Sequence, residues 1–507
     1  MSSSSIGPER SMVEEKGSML SLGLGTACLL VVIAFAWKTA GIAIDDFYIT
    51  YRYALHLAQG QGFVFNLGEP VFGLTNPGFG LVLAGLRVLT GARIELLATV
   101  VFALGLLGIV ICLVLDRARR EDRPEVLAGG LLLASSAFVW KAQGSEVSLA
   151  LCLLLASAVL FGRLPFVAGL IGGFAVWVRP DAALGLAILC ALLASHRKSI
   201  PWRWALGSAL AILAGVGAAF WSFGTFIPTT FESKRSLAGI TGGSGFFDRG
   251  FWEVGLGVWR QLTGRLGFVL LFCGLLGLVR IFRRSGVAGR LLAGYGLANA
   301  LVYPALGVPF SIWYVFPFAS AVFFGAAAFG FGVWDWIREA RATEKTGPIL
   351  AGILALALLL TSLADSAAFD LRWWRGFADL PRQAAYREAA LWIRGHSAPR
   401  ESIAFGEIGV IGYWSDRQVE DLMGLVTPRS LPFVARRDPV GAFLAHPTEI
   451  VLFHSTRRST RAMVERKWFR RAYAEAARFP QSDGEGAVVV FRRRPGSSLP
   501  PPRGPRG

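Results

Sequence analysis

The chain has 507 residues, of which 54% are hydrophobic and only 17% charged, and its mean hydropathy is +0.52. That balance excludes a string of soluble domains and describes a polytopic membrane protein. The formal charge of +17, from 51 basic and 34 acidic residues, would suit a nucleic-acid partner. The cations, however, stand in short loops between apolar runs rather than in a patch interleaved with aromatics, so no nucleic acid is expected.

In chain order, residues 1–17 are polar and read as a cytoplasmic tail. Ser18 to Trp37 carries no charge and is long enough to cross a hydrocarbon core of roughly 30 Å. It has no obvious cleavage site, so it reads as a retained first helix. Further apolar runs lie near residues 94–115, 125–141, 147–161, 165–178, 182–195, 204–223, 266–282, 291–307, 314–334 and 348–364. Together they predict about eleven spans, with residues 78–90 too short to cross and better suited to the interface. No repeat of fixed period is evident. The fold class expected is mainly α: a transmembrane helical domain over 18–365, containing an outer loop at 38–93. A small extracytoplasmic α/β domain should follow at 366–492, with strands at Ile403 to Phe405, Ile450 to Phe453 and Ala487 to Phe491. A Pro/Gly-rich stretch, 493–507, is expected to be disordered.

Basic loops such as Arg117 to Arg123, His196 to Arg203, Arg280 to Arg290 and Arg338 to Lys345 belong in the cytoplasm by the positive-inside rule. The N-terminus then lies inside and the tail from about residue 366 outside, in the periplasm of a bacterial inner (plasma) membrane protein. The same parity places Asp45 and Asp46, Gly144 to Glu146, Arg179 to Asp181, Pro228 to Lys234 and Phe310 to Tyr314 on the outer face. Hydropathy and charge set this topology without using the motifs, so the gathering of polar clusters on one side is independent support for an outer-face site.

Asp45 and Asp46 follow the first span directly, where ionisable pairs are costly and usually functional. Read as a helix, Ile44 to Gln59 puts Asp45, Arg52, His56 and Gln59 on one face, which suits an interfacial helix turning a polar face to a cavity. The alternative makes one aspartate the helix N-cap, and adjacent residues point about 100° apart, so both roles can coexist. The glycines from Gly60 to Gly73 do not make a phosphate-binding loop, because no strand precedes them and no GK[ST] follows. Glu69 is either a surface carboxylate or a site residue. Glu146, Arg179 and Asp181 sit at span ends, where snorkelling or capping competes with a site role. Lys234 stands in a loop, about 224–265, longer than a connector requires. No histidine spacing suits a metal. The five cysteines lie in apolar runs without CxxC pairing, so neither metal nor disulfide is expected.

These residues resemble a family. Asp45 to Pro77 follows DDxYIxxRYxxxxxxGxGxVFNxGExVxGxTxP, a pattern of polytopic GT-C glycosyltransferases that use polyprenyl-phosphate-linked sugars. The similarity is greatest to the branch containing the mycobacterial terminal β-(1→2) arabinofuranosyltransferase. Gln143 to Leu151 resembles its SGxE-T/S-xL element, Val178 to Asp181 its RPD/RPE element, and Ile227 to Lys234 its LPNTxxAK loop. Phe310 to Phe318 matches WRYxLP loosely, without the family arginine, which brings Tyr314 into consideration. Gly406 to Pro428 looks like GxIGYxSxxxxxDxxGLxxP, with Asp421 at the conserved-looking acid. Six pieces in the right order span about residues 20 to 430.

The resemblance implies a membrane glycosyltransferase with a polyprenyl-phosphate sugar as donor and an envelope glycan or glycolipid as acceptor. It further implies inversion and an aspartate general base, and leaves divalent-cation dependence open. Asp45, sharing a face with Arg52 and His56, is the favoured base, with Asp46 orienting the acceptor or capping the helix; the reverse is the alternative. Arg52, Arg179 and Lys234 are the cations expected at the departing lipid phosphate. Glu69, Glu146, Asp181, Tyr314 and Asp421 are further substrate-site candidates. The rival classes are a glycolipid transporter or flippase, and a non-catalytic envelope or motility assembly factor.

Overall fold

The computed structural model describes residues 8–116, 123–199, 201–233, 249–308, 310–344, 346–376, 380–456 and 463–501, with Lys234 outside that set. Every apolar run named above is helical. Four helical segments, Ser18–Thr39, Ile94–Asp116, Trp202–Phe223 and Ile312–Ala342, and a fifth beginning at Thr346, are long and apolar enough to cross a membrane. A sixth arises if Gly250–Thr263 and Gly267–Arg284, bent by 104° at their break, act as one span. The helices Val147–Leu160, Pro165–Val178 and Ala182–Arg197 have 14, 14 and 16 residues. At 1.5 Å per residue they fall short of a full bilayer core. The protein is thus a multi-pass membrane protein: by length and composition five or six segments among the described residues reach a full span, and shorter apolar helices make up the other runs counted in the sequence.

The chain divides into two compact units. The first, Met1–Ala40 with Ala98–Leu213 and Gly245–Phe377, is helical. Its helices Gly267–Arg284 and Phe316–Ala342 meet backbone to backbone. A Cβ on Gly277 would fall 1.7 Å from the Gly325 carbonyl oxygen, so only glycine fits there. Small residues at such crossings let dispersion contacts replace the hydrophobic drive that lipid removes.

The second unit joins Gly41–Leu97, Ala214–Ser244 and Ala378–Gly507. Residues 41–97 therefore fold with the C-terminal α/β domain, whereas the sequence reading assigned them to the membrane domain. The reason is a set of long-range bonds. The Asn66 side-chain amide bonds both backbone groups of Val419 (Nδ2 to O 2.9 Å, and Val419 N to Oδ1 3.0 Å). Thr229, Thr230 and Ser233 donate hydroxyls to the carbonyls of Leu425, Gly73 and Met423. The sheet has five strands in the order β2-β1-β3-β5-β4. β1 (Ser402–Phe405) pairs in parallel with β2 (Gln418–Asp421) and β3 (Ile450–His454); β5 (Ala487–Arg493) runs antiparallel between β3 and β4 (Tyr473–Pro480). Residues 494–501, within the stretch expected to be disordered, pack on the domain, and the rest of that stretch lies outside the described residues. Arg494 N bonds Ala472 O at 2.8 Å, and Leu499 packs on the core of the α/β domain.

Candidate active site

The helix Asp45–Ala58 forms as the sequence predicts, but it is buried on nearly every side, against Pro77–Thr90 and Gly409–Ser415. Its polar residues therefore do not face a common cavity. Arg52 is 3% exposed, donates Nη2 to the Arg417 carbonyl at 2.7 Å and stacks its guanidinium 4.5 Å from the Phe65 ring. Burial lowers its pKa to about 10, against the pull of Asp416. His56 bonds Val64 O through Nδ1 at 2.9 Å. A helix enclosed by protein keeps an amphipathic pattern because its polar side chains meet backbone carbonyls instead of water.

Asp45 and Asp46 separate into two environments. The Asp45 carboxylate is 7% exposed and accepts N–H bonds from Gly409 at 3.2 Å and Val410 at 2.8 Å. It thereby holds the N-terminal turn of Gly409–Ser415, at the carboxyl end of β1. The approach is so close that a Cβ on Gly409 would lie 1.8 Å from the Asp45 carbonyl oxygen. Asp46, one residue on, is exposed.

A third acid joins them that the sequence reading did not nominate. Glu407 lies in the turn between β1 and Gly409–Ser415, accepts a hydrogen bond from the Tyr386 hydroxyl, and stands 3.9 Å from Arg382. Burial, with added repulsion from Asp45 and Asp46, raises its pKa from 4.5 to about 7, although Arg382 pulls the other way. Its position is a variable one in the motif, so no single-sequence signal marked it.

The remaining candidates of this unit serve the fold. Asp421 is fully buried and accepts from Met423 N, Leu425 N and Val426 N, ordering the turn after β2; burial raises its pKa to about 6 against those bonds. Glu69 accepts from Asn66 Nδ2 at 3.0 Å and lies 3.9 Å from Arg429, which also pairs with Glu420. Neither adjoins the acid cluster through a described bond. Lys234 follows Ser233, whose hydroxyl is anchored, but is itself outside the described residues.

The first unit brings together four residues named separately from sequence. Arg179 is 4% exposed and sits between two carboxylates: Nη1 to Glu146 Oε1 at 2.6 Å and Nε to Asp181 Oδ1 at 2.6 Å. Its Nη2 donates to the Tyr303 hydroxyl at 2.9 Å. Tyr303 in turn stacks on Tyr314 with centroids 4.3 Å apart. Asn299 Nδ2 donates to Asp181 Oδ2 at 3.0 Å. Each of these sits at a helix end: Glu146 opens Val147–Leu160, Arg179 closes Pro165–Val178, and Asp181 opens Ala182–Arg197. Snorkelling does not describe Arg179, which is enclosed, and all three of its nitrogens are engaged. Among the described residues, no group of three or more His, Cys, Asp or Glu is disposed to hold a metal ion.

Residues 374–494 match the model of a domain of unknown function, DUF8728. No curated protein sequence matches the chain. Solved structures do. ArnT from Cupriavidus metallidurans bound to undecaprenyl phosphate superposes with a TM-score of 0.55 at 14% identity, covering 94% of this chain and 99% of that one. Its apo state gives 0.55 at 12% identity, with 92% and 97% coverage. The fold is the GT-C fold. The arabinofuranosyltransferase AftD from Mycobacteria gives a TM-score of 0.47 at 14% identity, covering 92% of this chain and 41% of that one. Within the GT-C fold found here, the paired aspartates lead the first helix after the first long apolar one.

Proposed function

We propose that the chain is an inverting glycosyltransferase that moves one sugar from a polyprenyl-phosphate donor to an envelope glycan or glycolipid. It acts on the outer face of a bacterial inner membrane, with the N-terminus cytoplasmic and the α/β domain extracytoplasmic. The observation that carries the reading is the Asp45–Asp46 pair, one carboxylate seated on backbone N–H groups and its neighbour exposed, in a chain with the ArnT fold. The solved ArnT complex holds undecaprenyl phosphate, which supports a lipid-borne donor. The sugar is arabinofuranose or another pentose or hexose, as the motif resemblance implies.

Asp46 takes the role of general base and Asp45 that of a positioning residue, the reverse of the assignment favoured by helix-face counting. A carboxylate that accepts two backbone N–H bonds is committed to holding the Gly409–Ser415 turn. An exposed neighbour on the same turn can meet an acceptor hydroxyl. Of the three cations nominated for the donor phosphate, Arg179 is held between Glu146 and Asp181, whereas Arg52 commits only Nη2, so Arg52 and Lys234 remain the candidates for that contact. The test is purified full-length protein with a polyprenyl-phosphate sugar and an envelope acceptor. Asp46→Asn should lower transfer by about 10²–10⁴-fold, the usual worth of a base, while donor binding persists. Unchanged transfer would remove the base assignment, and movement of an unmodified glycolipid without transfer would remove the enzyme.

A further inference from the structure

The second unit carries a cavity that the proposed chemistry leaves unused. It holds about 370 Å³, is open to solvent, and is lined among others by Arg87, Arg93, Arg387, Arg394, Glu95 and Trp414. Four guanidinium groups meet one carboxylate there. Glu95 is buried and already committed, to Arg93 Nη2 at 3.1 Å and to the Tyr413 hydroxyl at 3.1 Å. Arg387 lies 4.4 Å from the Trp414 ring centroid and Arg93 5.6 Å. A guanidinium over an indole can be held by the ring face while its N–H groups meet the oxygens of a phosphate.

A second observation gives the phosphate its carrier. Arg87 stands in the last turn of Pro77–Thr90, an apolar helix of 14 residues, too short to span. The residues following it, Val88 and Leu89, are 67% and 81% exposed. Leu391, within one turn of both Arg387 and Arg394, and Leu96, next to Glu95, are each 44% exposed. Arg93 pairs with Glu95 and Arg87 bonds the Gly91 and Ala92 carbonyls, which leaves Arg387 and Arg394 beside exposed aliphatic side chains, as on a surface that meets headgroups and acyl chains together. A free anion would draw on the arginines alone and leave the leucines unexplained.

We infer that this pocket binds the phosphate headgroup of an anionic phospholipid and seats the second unit on the lipid surface. The site is independent of the glycosyltransferase reading, and its test measures no transfer. Full-length protein is equilibrated in micelles with equal phosphatidylglycerol and phosphatidylcholine, and retained lipids are counted by native mass spectrometry. The wild type should retain phosphatidylglycerol about tenfold or more over phosphatidylcholine, given the pull of several cations on an anionic headgroup. Arg387→Gln with Arg394→Gln should lose one bound phosphatidylglycerol per chain; both side chains are exposed, so the thermal transition should not move. Arg387→Lys should keep part of the retention, since charge survives and the stacked fork does not. The inference is overturned if the double variant retains as many anionic lipids as the wild type. Displacement of the lipid by excess inorganic phosphate, or selective retention of a polyprenyl phosphate over phosphatidylglycerol, would also overturn it.

Discussion

Asp45 in the second unit and Arg179 in the first are both nearly buried charges, and they are satisfied in opposite ways. Asp45 is an anion that accepts from two backbone N–H groups of a short helix. Arg179 is a cation enclosed by two carboxylates and a phenol drawn from helix ends far apart in sequence. In a helical membrane unit, backbone groups are consumed within the helices, so a buried charge must find counter-charges on neighbouring side chains. Where strands and turns meet, free N–H groups remain at helix starts and can hold an anion by themselves. Beside the first of these charges an exposed carboxylate follows one residue on, whereas the second is enclosed together with its partners.

The sharpest way to break this contrast is Arg179→Ala. It would leave Glu146 and Asp181 buried without their cation, at a cost of about 3–5 kcal/mol. Loss of folded protein is therefore expected, in place of the folded, weak-binding variant that a purely phosphate-contacting role predicts. Replacing all three charges by apolar residues of similar volume should restore much of the stability. A wild-type melting curve for Arg179→Ala would return this side chain to the lipid phosphate.

Next in size is Asp45→Asn. Asparagine offers one acceptor where aspartate offers two, so Gly409 N or Val410 N loses its partner, at about 1–3 kcal/mol. Its melting temperature should fall, while that of Asp46→Asn should not. Abolished transfer with an unchanged melting curve for Asp45→Asn would restore Asp45 as the base. Gly409→Ala tests the same contact from the other side. Its Cβ would overlap the Asp45 backbone, and overpacking of this kind costs typically about 1–3 kcal/mol.

The smallest effect is a pH dependence at Glu407. Its folded pKa, about 7, lies above the ordinary 4.5, so the native state holds this proton more tightly than the unfolded chain. Its contribution to stability is complete below about pH 4.5 and is lost as pH rises through 7. Glu407→Gln should thus raise the melting temperature more at pH 8 than at pH 5. An equal shift at both would show that its burial beside Asp45 and Asp46 does not raise its pKa.

Much of the fold was legible in the sequence, and the parts that were not share a cause. Apolar runs located every membrane helix, because burial in lipid or protein leaves the same hydropathy signal. Helices of 14–16 residues such as Val147–Leu160 and Ala182–Arg197 carry that same signal, though each is shorter than a full hydrocarbon core. β1, β3 and β5 announced themselves through apolar runs, whereas β2 (QVED) carries two acids in four residues and β4 alternates weakly. Arg52 and His56 make a related point. Side-chain spacing shows which residues share a face, but not whether that face meets solvent or the carbonyls of residues some 365 positions away. The motifs named Glu146, Arg179, Asp181 and Tyr314 one by one. Their closure into a single network needs the helices assembled, and Tyr303, Asn299 and Glu407 had no sequence signal of their own.

The bond between Asp45 and Gly409 joins residues separated by 364 positions. At synthesis rates of about 5–20 residues per second, roughly 20–70 s pass between the emergence of the two. During that interval the helix Asp45–Ala58, which the mature protein buries on nearly every side, has none of its C-terminal partners. Any chain interrupted before residue 409 leaves that helix permanently bare, whatever the state of its membrane spans. Quality control that reads exposed hydrophobic surface would therefore sense completion of this protein at its last quarter, and truncations there should be cleared from the membrane rather than accumulate as inactive enzyme.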